Sequence, residues 1–263
     1  MDLGLKRRRA LVCGASQGLG RAIAHALAAE GAHITICSRS EDRIGRARDE
    51  IAEATGAEVH AVAADLAEPE GVEHAVRTAR EALGEIDILV TNTGGPPSGP
   101  FEDHSTEDWR QAVAQLLESV VNLTREVLPE MKERRWGRIL NVTSITVKQP
   151  VEGLILSNSI RAGVTGFAKT LSNEAAPFGV TVNCLVPGYT RTERLVDLAE
   201  AISRRTGGTT ADAYTGWESE IPMGRLGEPE ELGALAAFLA SEKAGYITGQ
   251  SVAVDGGWIK GLF

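Results

Sequence analysis

The segment Arg9-Ala10-Leu11-Val12-Cys13, followed by Gly14-Ala15-Ser16-Gln17-Gly18-Leu19-Gly20, decides the fold. An apolar run of strand length stops at a glycine, and an amphipathic segment from Leu19 to Glu30 opens almost at once. A strand that turns directly into a helix aims backbone N–H groups, at the positive end of the helix dipole, into one small space. That is a cradle for phosphate. Gly14 serves the tight turn, Gly18 lets backbone approach a pyrophosphate closely, and Gly20 lets the helix pack on the strand. The competing reading is a glycine-rich turn that binds nothing; the place of the motif directly after the first strand favours the cradle.

The same rhythm continues along the chain. Apolar runs at 33–38, 58–64, 86–91, 137–144, 180–188 and 250–256 alternate with helical patterns over Glu41–Thr55, Pro69–Leu83, Ser105–Arg134, Leu156–Ala176 and Pro229–Ala240. Seven strands separated by helices imply a parallel sheet, and nearly continuous apolar strands such as IDILV and VTVNCLV imply helices on both faces. The expected fold is α/β, a doubly wound seven-stranded parallel sheet (Rossmann fold). It is expected to form one domain over residues 1–263, with an irregular substrate-loop insertion at about 192–222 around Gly207-Gly208-Thr209-Thr210.

Composition narrows the function classes. With 43% apolar and 24% charged residues the 263-residue chain is an ordinary globular protein, and a net charge of −9 disfavours a nucleic-acid partner. Lys6 to Arg9 reads as a solvated lead-in to the first strand. The amino terminus lacks the apolar core of a signal peptide, and no stretch approaches the roughly 18 apolar residues of a membrane helix. A cytoplasmic protein without a membrane partner is expected. Cys13, Cys37 and Cys184 lie far apart in apolar runs, and the histidines never fall at ligand spacing, so no metal site is expected.

The G-x-x-x-G-x-G spacing of Gly14, Gly18 and Gly20 resembles the short-chain dehydrogenase/reductase family, and further landmarks follow in that family's order. They are Asp65-Leu66 after the third strand, Thr91-Asn92-Thr93-Gly94 after the fourth and Ser144 after the fifth. Pro187-Gly188 with Thr192 follows the sixth, and PMGRLGEPEEL (222–232) and ITGQSVAVDGG (247–257) close the chain. The resemblance implies a nicotinamide dinucleotide bound by Gly14, Ser16, Gln17, Gly18, Leu19, Gly20, Ser38, Arg39, Asp65, Leu66, Asn92, Gly94, Arg161, Pro187, Gly188 and Thr192. After the second strand, where an acid would hydrogen-bond the ribose 2′-OH of NAD, stand Ser38-Arg39, and a guanidinium matches a 2′-phosphate in charge and shape. NADP is expected, with NAD the alternative if Arg39 stacks on adenine or faces water. Family members commonly form tetramers, which implies a homo-oligomer, a tetramer or dimer.

The catalytic pattern breaks. Where the family has Tyr and Lys after Ser144, this chain has Ser157 and Arg161, and Leu116 beside Gln115 stands at the position of a relay asparagine. A phenol with a pKa of about 10 is tunable toward neutrality, whereas a serine hydroxyl is not, and an ordinary arginine holds its proton. Ser144, Ser157, Arg161 and Tyr189 are the candidate catalytic residues. Arg191 and Arg194 are cations that would suit an acidic substrate or simply face solvent. The loop Gly94 to Pro100, stiffened by three prolines, is expected to wall the substrate pocket opposite Val147–Ile155. The resemblance implies an NADP-dependent oxidoreductase of a small carbonyl or alcohol substrate, similar to 3-oxoacyl-acyl-carrier-protein reductases. The alternatives are an inactive nucleotide-binding sensor or partner protein, or a non-redox enzyme on the same scaffold.

Overall fold

A computed structural model describes residues 2–262. The seven strands are β1 (Arg9–Cys13), β2 (His33–Ser38), β3 (Val59–Ala63), β4 (Ile88–Thr91), β5 (Gly137–Val142), β6 (Val180–Pro187) and β7 (Ser251–Val254). They form one parallel sheet in the order β3-β2-β1-β4-β5-β6-β7. Every residue of β5 and β6 is buried, as sheets covered on both faces require, and separate apolar clusters fill the two sides. The chain winds outward from β1 and then from β4, so the carboxyl ends of these two adjacent strands diverge into a crevice.

Helices α1 (Gly18–Ala29), α2 (Glu41–Thr55) and α3 (Pro69–Leu83) cross over in the first half. The segment expected as one helix from Ser105 to Arg134 is α4 (Thr106–Val113), a π turn over Ala114–Glu118, and α5 (Ser119–Glu133). The Ser119 hydroxyl donates to the Gln115 carbonyl at 2.6 Å inside this widened turn, which lies beside the candidate site, as π turns often do. Helix α6 (Ile155–Ala175) follows β5, and α9 (Pro229–Ala240) precedes β7. No helix among the described residues is long and apolar enough to cross a membrane.

The stretch expected to be irregular after Thr192 is helical. Helix α7 (Glu193–Thr206) ends on Gly207, whose φ of 73° suits glycine, and α8 (Thr210–Glu220) starts on a capping box of Thr209 with Asp212. The apolar Leu195, Ala199 and Trp217 bury one side of this pair against the core. The three cysteines are free and buried, and burial pushes their thiols up, Cys37 to about 12 and Cys184 to about 11, so they pack as apolar groups.

At the amino end of the sheet, buried Asp87 accepts hydrogen bonds from the Arg9 backbone N–H at 3.0 Å and from its guanidinium at 2.9 Å twice, tying β1 to the start of β4. That bond, first, holds the Arg9 guanidinium above its usual range. Asp87→Asn is expected to cost about 2 kcal/mol in urea unfolding, below the ~3–5 kcal/mol of a fully buried pair because Arg9 is partly open to solvent.

Candidate active site

The β1–α1 turn has the geometry its glycines require. Gly14 and Gly18 adopt φ of 58° and 54°, and a Cβ at Gly20 would overlap the Gly14 carbonyl oxygen, so the helix start touches the turn. Gln17 is the extended cap residue of α1, and its side chain makes no capping bond, which leaves the first-turn N–H groups free for an anion. From β4, Asn92 Nδ2 donates to Gly14 O at 3.1 Å and locks the turn across the crevice. Ser16 and Leu19 flank the turn, half-buried.

Toward β2, Ser38 is half-buried and Arg39 is exposed, with no ion pair among the described residues. Arg43, on the first turn of α2, reaches Gln17 Oε1 at 3.4 Å, so a second cation borders this corner. Its long-range contact with Gln17 has no signature in the sequence. Asp65 is exposed, its carboxylate accepting from Ala67 N–H at 3.1 Å, while Leu66 is buried in the core beside it.

A cavity of about 250 Å³ runs from this turn across the carboxyl ends of the sheet. Gly14, Gln17, Gly18, Leu19, Asn92, Gly94, Ser144, Ser157, Arg161, Pro187, Gly188, Tyr189, Thr192 and Arg194 all border it. Ser144 Oγ accepts from Thr146 N–H at 3.2 Å, and Thr146 Oγ1 and Ser157 Oγ lie 3.4 Å apart in a buried hydroxyl pair. One turn along α6 from Ser157, the buried Arg161 donates to Val142 O at 2.9 Å. Burial, and after it the charge of Arg194, pushes the Arg161 guanidinium down to about 10. Leu116 is buried with Ala112, Leu156 and Ile160, so an apolar anchor occupies the π turn, and Gln115 Nε2 instead bonds Gly94 O at 2.9 Å.

Tyr189 reaches the cavity wall, but its ring is stacked on Trp217 at 5.1 Å between centroids and set edge-on to Trp258 at 5.7 Å. Burial, then Glu220, pushes its phenol up to about 12, the wrong direction for an acid working near neutrality. Tyr189 thus stands in this structure as a packed wall of the cavity. Tyr214 lines a larger cleft of about 670 Å³ on the outer side of α1, which adjoins the inner cavity at Gly18, Thr192 and Glu193, and Tyr246 is fully exposed. Arg191 is tied to Glu218 and Glu228 at 3.2 and 3.1 Å and borders that outer cleft. Arg194, exposed at the rim, instead donates to Pro96 O at 2.7 Å and roofs the inner cavity. The proline-stiffened loop meets the opposite segment directly, Gly99 N–H donating to Gly153 O at 2.7 Å.

Residues 14–259 match the family model described as enoyl-(acyl carrier protein) reductase. The 3-oxoacyl-(acyl-carrier-protein) reductase of Aquifex aeolicus is 34% identical over 257 residues, covering 98% of this chain and 99% of that protein. The chain belongs to the short-chain dehydrogenase/reductase family. Another relative, an NADPH-dependent reductase of Bacillus subtilis, is 33% identical over 259 residues, covering 98% of this chain and 100% of that one. Among solved structures of the family, L-sorbose reductase of Gluconobacter frateurii, complexed with NADPH and L-sorbose, superposes with a TM-score of 0.94 at 35% identity over 100% of both chains.

Because Asn92, just past β4, braces the Gly14 carbonyl across the crevice, Asn92→Ala is expected to weaken nucleotide binding about fivefold in a fluorescence titration, the worth of one ordinary hydrogen bond of ~1 kcal/mol.

Proposed function

We propose that the protein is an NADP-dependent reductase of a small carbonyl compound, working through a variant active site. The observation that carries this is the single cavity joining the uncapped start of α1 to Ser144 and the buried Arg161. The residues present fit a dinucleotide: free N–H groups and close glycine backbone suit a pyrophosphate, and unpaired Arg39 with nearby Arg43 suits a 2′-phosphate. Gly14, Gln17, Gly18, Leu19 and Thr192 would hold the phosphates, Asp65 and Leu66 the adenine, and Asn92, Gly94, Arg161, Pro187 and Gly188 the nicotinamide half. When bound, the cofactor supplies a hydride.

The chain's own groups do the rest. The Ser144 hydroxyl donates to the substrate carbonyl oxygen and fixes its orientation. Arg161, buried and without a carboxylate partner among the described residues, directs charge at the negative oxygen as it develops. The Thr146–Ser157 hydroxyl pair relays a solvent proton to that oxygen, taking over the delivery that a phenol performs elsewhere in the family. We also propose a homo-oligomer: β7 is an edge strand, and the exposed Tyr246 and Leu262 flank it.

The test is NADPH oxidation by the purified protein against a panel of ketones, aldehydes and oxoacyl thioesters. Turnover is expected, and NADPH binding without any turnover would overturn the proposal in favour of a nucleotide-binding partner protein. Arg39→Ala should raise the KM for NADPH ~10- to 100-fold and leave that for NADH within about twofold, since a charge-assisted bond is worth ~1.5–3 kcal/mol. The pH profile carries a further expectation. Arg161 is charged below a pKa of about 10 and neutral above it, so kcat/KM should stay level through neutrality and fall as pH rises past about 10, with no phenol step beneath.

A further inference from the structure

Three charged side chains border the inner cavity: Arg161, Glu193 and Arg194. Glu193 sits on the phosphate side, its Oε2 3.5 Å from where a Gly18 Cβ would lie. The other end therefore holds two cations and no acid. Arg161 spends one donor on Val142 O and Arg194 one on Pro96 O, and neither forms an ion pair among the described residues. Arg191, three residues before Arg194, is by contrast held by two glutamates, so the lack of a partner at Arg194 does not follow from a shortage of acids on this face.

The hydrogen bond to Pro96 O holds the Arg194 guanidinium against the loop, and Gly95 leaves room for it there, since a Cβ at Gly95 would lie 2.6 Å from its Nε; both arginines border the same cavity. Burial, and after it the charge of Arg194, disfavours the Arg161 cation; Arg194, exposed on its outer side, is disfavoured by the desolvation of its cavity side and favoured by Asp197. An anion between them would relieve both penalties, and an arginine fork accepts a carboxylate through two parallel bonds. The surrounding Val151, Leu154, Leu195 and Leu198 are apolar, so the two guanidiniums are the polar groups that a carboxylate would meet at this end of the cavity.

The geometry points to a substrate that carries a carboxylate beside the carbonyl to be reduced, with Arg194 as the residue that selects it. This assignment rests on the reductase function proposed above and adds the substrate class, an oxo acid. No bond changes at the carboxylate; the hydride and proton both go to the carbonyl.

Initial rates with NADPH would compare 2-oxobutanoate and 3-oxobutanoate with their methyl esters. At least one acid should exceed its ester in kcat/KM by ~10- to 100-fold, the range of a charge-assisted hydrogen bond. Arg194→Met should collapse that acid-to-ester ratio to within about threefold of one, and Arg194→Lys should restore part of it. Equal acid and ester rates, or a ratio unmoved by Arg194→Met, would overturn the assignment. Calorimetry on the NADPH-loaded protein separates the two claims. Malonate binding ~10-fold tighter than malonamide, and losing that margin in Arg194→Met, upholds the anion site even if no compound turns over and the reductase function falls. Equal binding of malonate and malonamide overturns the anion site whether or not neutral ketones are reduced.

Discussion

The contact between the start of α1 and the Gly14 carbonyl is the constraint from which the site is built. A side chain at position 20 would push the helix away from the turn, and with it the N–H groups aimed at the crevice. Asn92 holds the same carbonyl from β4, so the two strands that part at the carboxyl edge are braced where a ligand must enter. The positions of Gly94, Ser144 and Pro187 follow, because each lies at or just past the carboxyl end of a strand whose register is fixed by its neighbour. Buried sheet residues on both faces make that register expensive to shift.

In the proposed mechanism the chemistry moves from a tunable phenol to a buried positive charge. Ser157 is too short to fill the space of a tyrosine, and its hydroxyl turns to Thr146. Arg161 keeps a cation at the floor of the cavity, where low polarity strengthens its field but costs it solvation. The proposal links the two positions: with Ser157 in place of a phenol, the Arg161 cation would act on the substrate oxygen itself. The π turn has Leu116 as its apolar anchor, packed with Ala112, Leu156 and Ile160.

Much of this was legible in the sequence because the signals are local. Continuous apolar runs mark β1, β4 and β6, glycines mark the turns, and the bounds expected for α2, α3 and α9 coincide with the observed ones. The helices at 193–220 carried a signal too, Thr209 with Asp212 three residues on, but the glycine pair before it outweighed that capping box. The π turn was hidden, because a hydroxyl bonding back to Gln115 leaves no mark on hydrophobic period. Arg43 and Arg194 owe their places to partners far along the chain, Gln17 and Pro96, which no window of sequence brings together. Tyr189 was legible as a phenol beside the site, whereas the stacking and burial that raise its phenol are tertiary.

Hydride transfer on a site with Ser157 and Arg161 in place of the family's tyrosine and lysine is read with NADPH carrying deuterium at both C4 positions. The expected alcohol product carries deuterium on its carbinol carbon, read by mass spectrometry. An unlabelled product, or a protein that binds NADPH and yields no alcohol from any carbonyl substrate, would contradict hydride transfer on this site.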